Sequence, residues 1–187
     1  MAMRKALLLD RDGVINVDKG YVSRIEDFEW QPGIFDLLAA AHRADYLLVV
    51  VTNQSGIGRG YYAEKDFQRL MAWMRAELEE KAIPIERVYH CPYHPDAVIP
   101  EYKAAHPWRK PEPGMIVAAR DDLGLALDRS IMIGDQWTDM LAGQAAGVGT
   151  LWLVGEPKGR APDDIGGVRR LPDVAAAARL AVTRLLP

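Results

Sequence analysis

Short apolar runs alternate along the chain with segments of helical period. Residues 6–10, 46–52, 87–90, 131–134 and 150–154 read as buried strands bounded by polar or glycine-bearing turns. Leu47-Leu48-Val49-Val50-Val51 is apolar at consecutive positions, so both faces of that strand are expected to be covered, as in a parallel sheet. The clearest helical pattern spans 64–81, where Phe67, Leu70, Met71, Met74 and Leu78 fall three or four residues apart and make one stripe. Residues 33–43, 114–123 and 138–146 are shorter candidates, and 172–186 reads as an alanine-rich terminal helix. This alternation predicts an α/β fold, a Rossmann-like three-layer sandwich around a mostly parallel sheet. Two stretches carry no period: 91–113, rich in proline and histidine, and 155–167, rich in glycine, proline and charge. Loops of that length in a compact domain are usually functional or mobile.

The length of 187 residues predicts one domain over 1–187. Composition acts mainly by exclusion. The formal net charge is −3 and no lysine- or arginine-rich block is present, so neither nucleic acid nor an anionic membrane is an expected partner. The apolar run 6–9 is too short for a signal peptide, and no stretch approaches the roughly 18–20 apolar residues of a membrane span. A soluble, cytoplasmic protein is expected. No helical dimerisation seam is visible, which makes a monomer the expectation. The single cysteine, Cys91, excludes an intramolecular disulfide and is compatible with a reducing compartment. Trp30, Trp73 and Trp152 read as core, and His42 as a residue near a helix C-terminus.

Four segments carry candidate chemistry. In Leu7-Leu8-Leu9-Asp10-Arg11-Asp12-Gly13 a buried strand ends in two acids one residue apart. They are either turn residues capping backbone amides or a ligand site at the carboxyl end of a parallel strand. Two carboxylates so placed repel unless a cation or proton intervenes, which points to magnesium and phosphate chemistry. Thr52-Asn53-Gln54-Ser55-Gly56 offers small hydroxyl and amide donors to phosphate oxygens, and reads equally as a plain turn. Arg109-Lys110-Pro111 is either a solvated basic pair or, stiffened by Pro111 and Pro113, a loop that aims Lys110 at a shared pocket. In Gly134-Asp135-Gln136-Trp137-Thr138-Asp139, Asp139 is explained by the helix dipole, whereas Asp135 stands at the strand tip itself.

In order and spacing these segments resemble the four-part signature of the haloacid dehalogenase superfamily: Asp-x-Asp-Gly, Thr or Ser, Lys, and Gly-Asp-x-x-x-Asp. Within it, Asp10-Arg11-Asp12-Gly13, Thr52 to Ile57 with Arg59-Gly60, Cys91-Pro92 with His94-Pro95, and Arg109-Lys110-Pro111 with Pro113-Gly114-Met115 look like one branch. That branch holds the D-glycero-D-manno-heptose 1,7-bisphosphate phosphatases and the related histidinol-phosphate phosphatases. The resemblance implies a haloacid dehalogenase-like fold without a large cap domain. It implies a magnesium-dependent phosphatase in which Asp10 forms an aspartyl-phosphate, Asp12 transfers protons, and Thr52 and Lys110 hold phosphoryl oxygens. Magnesium would be held by Asp10, Asp135 and the carbonyl of Asp12. Asp18, Lys19, Gly20, Tyr21, Asn53, Gln54, Ser55, Arg109 and Gln136 are the implied substrate contacts. The implied substrate is a small phosphorylated sugar, the heptose bisphosphate of lipopolysaccharide core precursor synthesis losing its 7-phosphate, with histidinol phosphate as the alternative. A phospho-accepting signalling domain is the rival from a different class. Its acceptor acid lies on the third strand, whereas the candidate here lies on the first.

Many relatives in this branch bind a structural zinc through Cys-x-His and Cys-x-Cys just before Arg-Lys-Pro. The corresponding residues here are Cys91, Tyr93, His106 and Trp108, so only Cys91 survives in kind and that zinc is expected to be absent. A substitute set would be Cys91 with His94 and His106.

Overall fold

The computed structural model describes residues 3–185, so the predicted end of the terminal helix at Leu186 lies outside the described residues. Six strands are present: β1 (Ala6–Leu9), β2 (Leu47–Asn53), β3 (Ile85–Cys91), β4 (Ile131–Gly134), β5 (Thr150–Val154) and β6 (Val168–Leu171). They form one sheet in the order β3-β2-β1-β4-β5-β6, and every pairing is parallel. The helices are α1 (Ile34–Arg43), a single turn α2 (Ser55–Gly58), α3 (Glu64–Glu79), α4 (Gly114–Leu123), α5 (Trp137–Ala146) and α6 (Val174–Leu185).

The continuous apolar runs of β1 and β2 follow from burial on both faces, because successive strand residues point to opposite sides. Leu7, Leu9, Leu48 and Val50 join one core with residues of α1, α3 and α6, including Leu37, Phe67, Met74 and Ala177. Ala6, Leu8, Val49 and Val51 join a second core with residues of α4 and α5, including Met115, Ala119, Met140 and Ala142. Each fully buried leucine contributes about 1.5–3 kcal/mol relative to exposure. Gly124 and Gly147, both with left-handed φ (64° and 82°), end α4 and α5 where a side chain would be strained.

Three expectations are corrected. The sequence pattern offers no strand at Val168–Leu171, yet β6 pairs with β5 along its whole length. It is an edge strand whose Arg169 and Arg170 are exposed, so the apolar signal is missing; charged residues there also blunt further pairing. The strand predicted at 87–90 begins at Ile85, because exposed Glu86 and Arg87 break the apolar run. Trp30 and Trp73 are only partly buried; with Phe28 and Phe35 they form an aromatic cluster against the first core, whereas Trp152 is buried as predicted.

The chain runs outward from β1 to β2 and β3, then crosses back to place β4 on the other side of β1. Strand order therefore switches at β1, and the crevice beyond the carboxyl ends of β1, β2 and β4 is where ligands of such sheets bind.

Candidate active site

Asp10 follows β1 directly. Its N–H donates to the Ile133 carbonyl at 3.0 Å, which fixes the residue to the end of β4, and its Oδ1 accepts the Arg11 N–H at 2.8 Å. Lys110 reaches this point from the loop before α4 and is 1% exposed. Its Nζ lies 3.0 Å from Asp10 Oδ1, 2.7 Å from Asp139 Oδ1 and 2.8 Å from the Val51 carbonyl, so all three ammonium hydrogens have acceptors. Asn53 holds that loop to β2: its amide donates to the Lys110 carbonyl and accepts the Lys110 N–H, each at 3.0 Å.

Carboxylate oxygens of Asp10, Asp135 and Asp139 lie within 4.8 Å of one another. The approach is close enough that glycine is required beside it. A Cβ at Gly13, whose φ is 84°, would run into the Asp135 carboxylate, and one at Gly134 would run into that of Asp139. Burial pushes Asp10 up to about 8; Lys110 opposes the rise, while Asp139, Asp135 and Asp12 add to it. Burial, then Asp139, pushes Asp135 up to about 6. Burial works against the charged form of Lys110, but Asp10 and Asp139 outweigh it and hold the lysine above its ordinary range. The cluster carries more negative charge than its one ammonium offsets, and its donors are all hard oxygens. That set fits a magnesium ion.

Asp139, explained from sequence as a helix acid and given no role beyond its place in the Gly-Asp-x-x-x-Asp pattern, does more than cap α5. It accepts the Gln136 N–H at 3.0 Å and its other oxygen pairs with Lys110, and the residue is 1% exposed. The four-residue spacing from Asp135 was the available signal.

Asp12 is held differently. Arg11 Nη2 donates to its Oδ1 at 2.6 Å and its Oδ2 at 2.8 Å, Asn16 Nδ2 donates at 3.0 Å, and Gln54 Nε2 donates at 3.1 Å. Arg11 is fully buried, and the same Nη2 donates to the Val22 carbonyl at 2.7 Å, tying the loop after β1 to the acid. Gln54 Nε2 also donates to Thr52 Oγ1 at 2.8 Å, and Tyr62 Oη donates to Gln54 Oε1 at 2.6 Å. Arg11, Asn16 and Tyr62 received no role from the sequence. Arg11 hides in a motif position that tolerates any residue, while Asn16 and Tyr62 bond across irregular turns, four residues from Asp12 and eight from Gln54, where no helix or strand period marks the pair.

The remaining candidates lie around this pair. A cavity of about 270 Å³ opens beside Asp12, walled by Asp18, Gly20, Tyr21, Ser55, Tyr62 and Lys158. Asp18 Oδ1 accepts the Gly20 N–H at 2.9 Å, and Tyr21, at a left-handed φ of 54°, meets the Tyr61 ring edge-on at 4.6 Å. Lys19 turns to Glu29 at 2.8 Å. Gln136 donates to Asp135 Oδ2 at 2.7 Å and accepts the Lys158 N–H at 3.1 Å. Arg109 is half-buried and lies 3.5 Å from the Tyr93 carbonyl. Asn53 and Gln54, read as substrate donors, have amides engaged by protein groups.

In the 91–113 loop, Tyr93 stacks on His106 with centroids 4.1 Å apart and planes 6° from parallel, and His106 Nδ1 accepts the Trp108 N–H at 3.1 Å. His94 faces Arg59 at 3.2 Å and accepts the Asp96 N–H at 2.9 Å. Cys91, His94 and His106 do not gather at metal-binding spacing among the described residues. Among those residues, no helix is long and apolar enough to cross a membrane.

Residues 107–178 match a family model described as HAD-hydrolase-like. The chain is 53% identical over 150 residues to D-glycero-alpha-D-manno-heptose-1,7-bisphosphate 7-phosphatase of Burkholderia mallei, an alignment covering 80% of this chain and 79% of the relative. It is 47% identical over 151 residues to D-glycero-beta-D-manno-heptose-1,7-bisphosphate 7-phosphatase of Vibrio cholerae, covering 81% of each. Among solved structures, D,D-heptose 1,7-bisphosphate phosphatase from B. bronchiseptica, complexed with magnesium and phosphate, superposes with a TM-score of 0.82 at 28% identity, over 96% of this chain and 98% of that one.

Proposed function

Because this chain belongs to the haloacid dehalogenase superfamily, and within it to the heptose bisphosphate phosphatases, we propose that it removes the 7-phosphate of D-glycero-D-manno-heptose 1,7-bisphosphate through an aspartyl-phosphate at Asp10. The proposed setting is a cytoplasmic, single-domain monomer serving lipopolysaccharide core precursor synthesis, with a small phosphorylated sugar as its partner. The observation that supports this reading most directly is the buried Lys110 ammonium, 3.0 Å from Asp10, beside an acid trio with excess negative charge.

In the first step an Asp10 carboxylate oxygen attacks phosphorus, the bond from phosphorus to the sugar oxygen breaks, and Asp12 delivers a proton to that leaving oxygen. In the second, Asp12, now a carboxylate, takes a proton from water. The resulting hydroxide displaces Asp10 from phosphorus, giving inorganic phosphate and restoring the free acid. Asp10, Asp135 and the Asp12 carbonyl would hold magnesium, which when bound supplies positive charge against the phosphoryl oxygens. Lys110 starts with every hydrogen engaged; when Asp10 turns to phosphorus, the hydrogen it relinquishes passes to a phosphoryl oxygen, so charge is met as it develops. Thr52 donates to a second phosphoryl oxygen. Asp18, Gly20, Tyr21 and Ser55, with Arg109 and Gln136, would contact the sugar and its second phosphate.

The test is kcat/KM with magnesium for both heptose bisphosphate anomers, fructose 1,6-bisphosphate and histidinol phosphate. One heptose anomer should exceed the last two by at least about 100-fold, a margin reachable when buried polar groups must all be paired. Histidinol phosphate matching it would move the assignment to the neighbouring activity. A phosphoprotein that accumulates without turnover would favour the signalling reading.

A further inference from the structure

We propose that Tyr62 is a positioning residue which, through the Gln54 side chain, sets the orientation of the Asp12 carboxylate and the Thr52 hydroxyl. The proposal rests on the two-step reaction above, in which Asp12 protonates the leaving oxygen and Thr52 holds the phosphoryl group.

Gln54 is 2% exposed and its amide makes three contacts: Nε2 to Asp12 Oδ2 at 3.1 Å, Nε2 to Thr52 Oγ1 at 2.8 Å, and Oε1 from Tyr62 Oη at 2.6 Å. An amide can be set either way round. Reversed, it would press its carbonyl oxygen against a carboxylate with no hydrogen between them, a repulsive contact in a buried site. The Tyr62 hydroxyl opposes that reversal by presenting its hydrogen to the oxygen end. Burial raises the phenol well above its ordinary range, so it stays a donor.

Two consequences follow at the reacting groups. The N–H toward Asp12 fixes one carboxylate oxygen, leaving the plane of the acid defined together with Arg11 and Asn16. The N–H toward Thr52 occupies an acceptor lone pair of the hydroxyl, which frees the hydroxyl's own hydrogen for a phosphoryl oxygen. The chain also makes room for the tyrosine. A Cβ at Gly56, in α2, would run into the Tyr62 ring, so the glycine that follows Ser55 admits the ring that locks Gln54.

The experiment compares kcat/KM for an alkyl substrate, the heptose bisphosphate, with that for p-nitrophenyl phosphate, whose phenolate departs without needing a proton. The parameter reports on events through phosphoryl transfer to Asp10. Tyr62→Phe keeps the ring and removes only the hydroxyl. We expect it to lower the alkyl value about 30-fold and the aryl value about threefold, the shared part arising at Thr52 and the excess at Asp12. In an Asp12→Asn background, Tyr62→Phe should produce no further difference between the two substrates. Equal losses for both substrates, no loss at all, or a persisting excess in the Asp12→Asn background would overturn the proposal. The reaction itself is tested separately: if Asp12→Asn alone shows no excess loss on the alkyl substrate, it is the proposed chemistry that fails and not the role of Tyr62.

Discussion

Asp10 and Asp12 stand two residues apart and are held by opposite means. Asp10 sits among charges: one buried ammonium against a cluster of carboxylates whose own repulsion, added to burial, drives it toward the neutral form. Asp12 sits among donors, with Arg11, Asn16 and Gln54 each giving it a hydrogen. The first half of the site is unfavourable in the isolated chain and is relieved by added positive charge. The second is already satisfied by the fold. Function and stability should therefore pull against each other at Asp10, while at Asp12 the donors that satisfy the carboxylate also fix its orientation.

Substitution at Asp10 should separate the halves most sharply. Asp10→Asn is expected to reduce turnover by at least about 10⁴-fold, as loss of a nucleophile does, while raising the Tm of the metal-free protein by about 2–4 °C, equivalent to about 1 kcal/mol in a chain of this size. A fall in Tm would mean that the acid cluster is not under the electrostatic load described. Lys110→Met should cost about 10³-fold in kcat/KM and, in chelator, about 3–5 kcal/mol of stability, because it leaves buried carboxylates unpaired. Denaturant midpoints with and without magnesium should differ more in this variant than in the parent. Arg11→Met belongs to the other half. About a 100-fold loss in kcat/KM is expected, with a stability loss that magnesium does not repair.

The remaining prediction is one of pH. Carboxyls whose folded pKa is raised stabilise the fold below their unfolded value, and that contribution is lost as pH rises through the folded value. With Asp10 at about 8 and Asp135 at about 6, metal-free stability should decline from about pH 4 to pH 8. Melting curves in chelator across that range would check the slope, and Asp10→Asn should flatten its upper part.

Much of this was legible in the sequence because the same physics wrote both. Strands buried on two faces are largely apolar, so β1, β4 and β5 announce themselves, and the acids placed directly after β1 and β4, Asp10 and Asp135, mark the crevice. β6 was not legible: at the edge, Val168 and Leu171 enclose two exposed arginines. The roles of Asn53 and Gln54 were hidden for another reason. Asn53, the last residue of β2, turns to the Lys110 loop, whereas Gln54, just past the strand, donates to both Asp12 and Thr52. That division is readable only once the partners, Tyr62 and Lys110 among them, are known to be near. Asp139 was half-visible, since a helix dipole accounts for the acid but not for its burial against Lys110.

Every hydrogen on the Lys110 ammonium is already committed before any phosphate arrives. In the proposed reaction a phosphoryl oxygen would take the hydrogen that Asp10 holds while that aspartate is bonded to phosphorus. Hydrolysis would then return the free carboxylate to the ammonium and weaken the hold on the departing anion. The exchange that admits the substrate thus helps clear the product, so inorganic phosphate should be a feeble inhibitor for a pocket so well supplied with phosphate-binding groups.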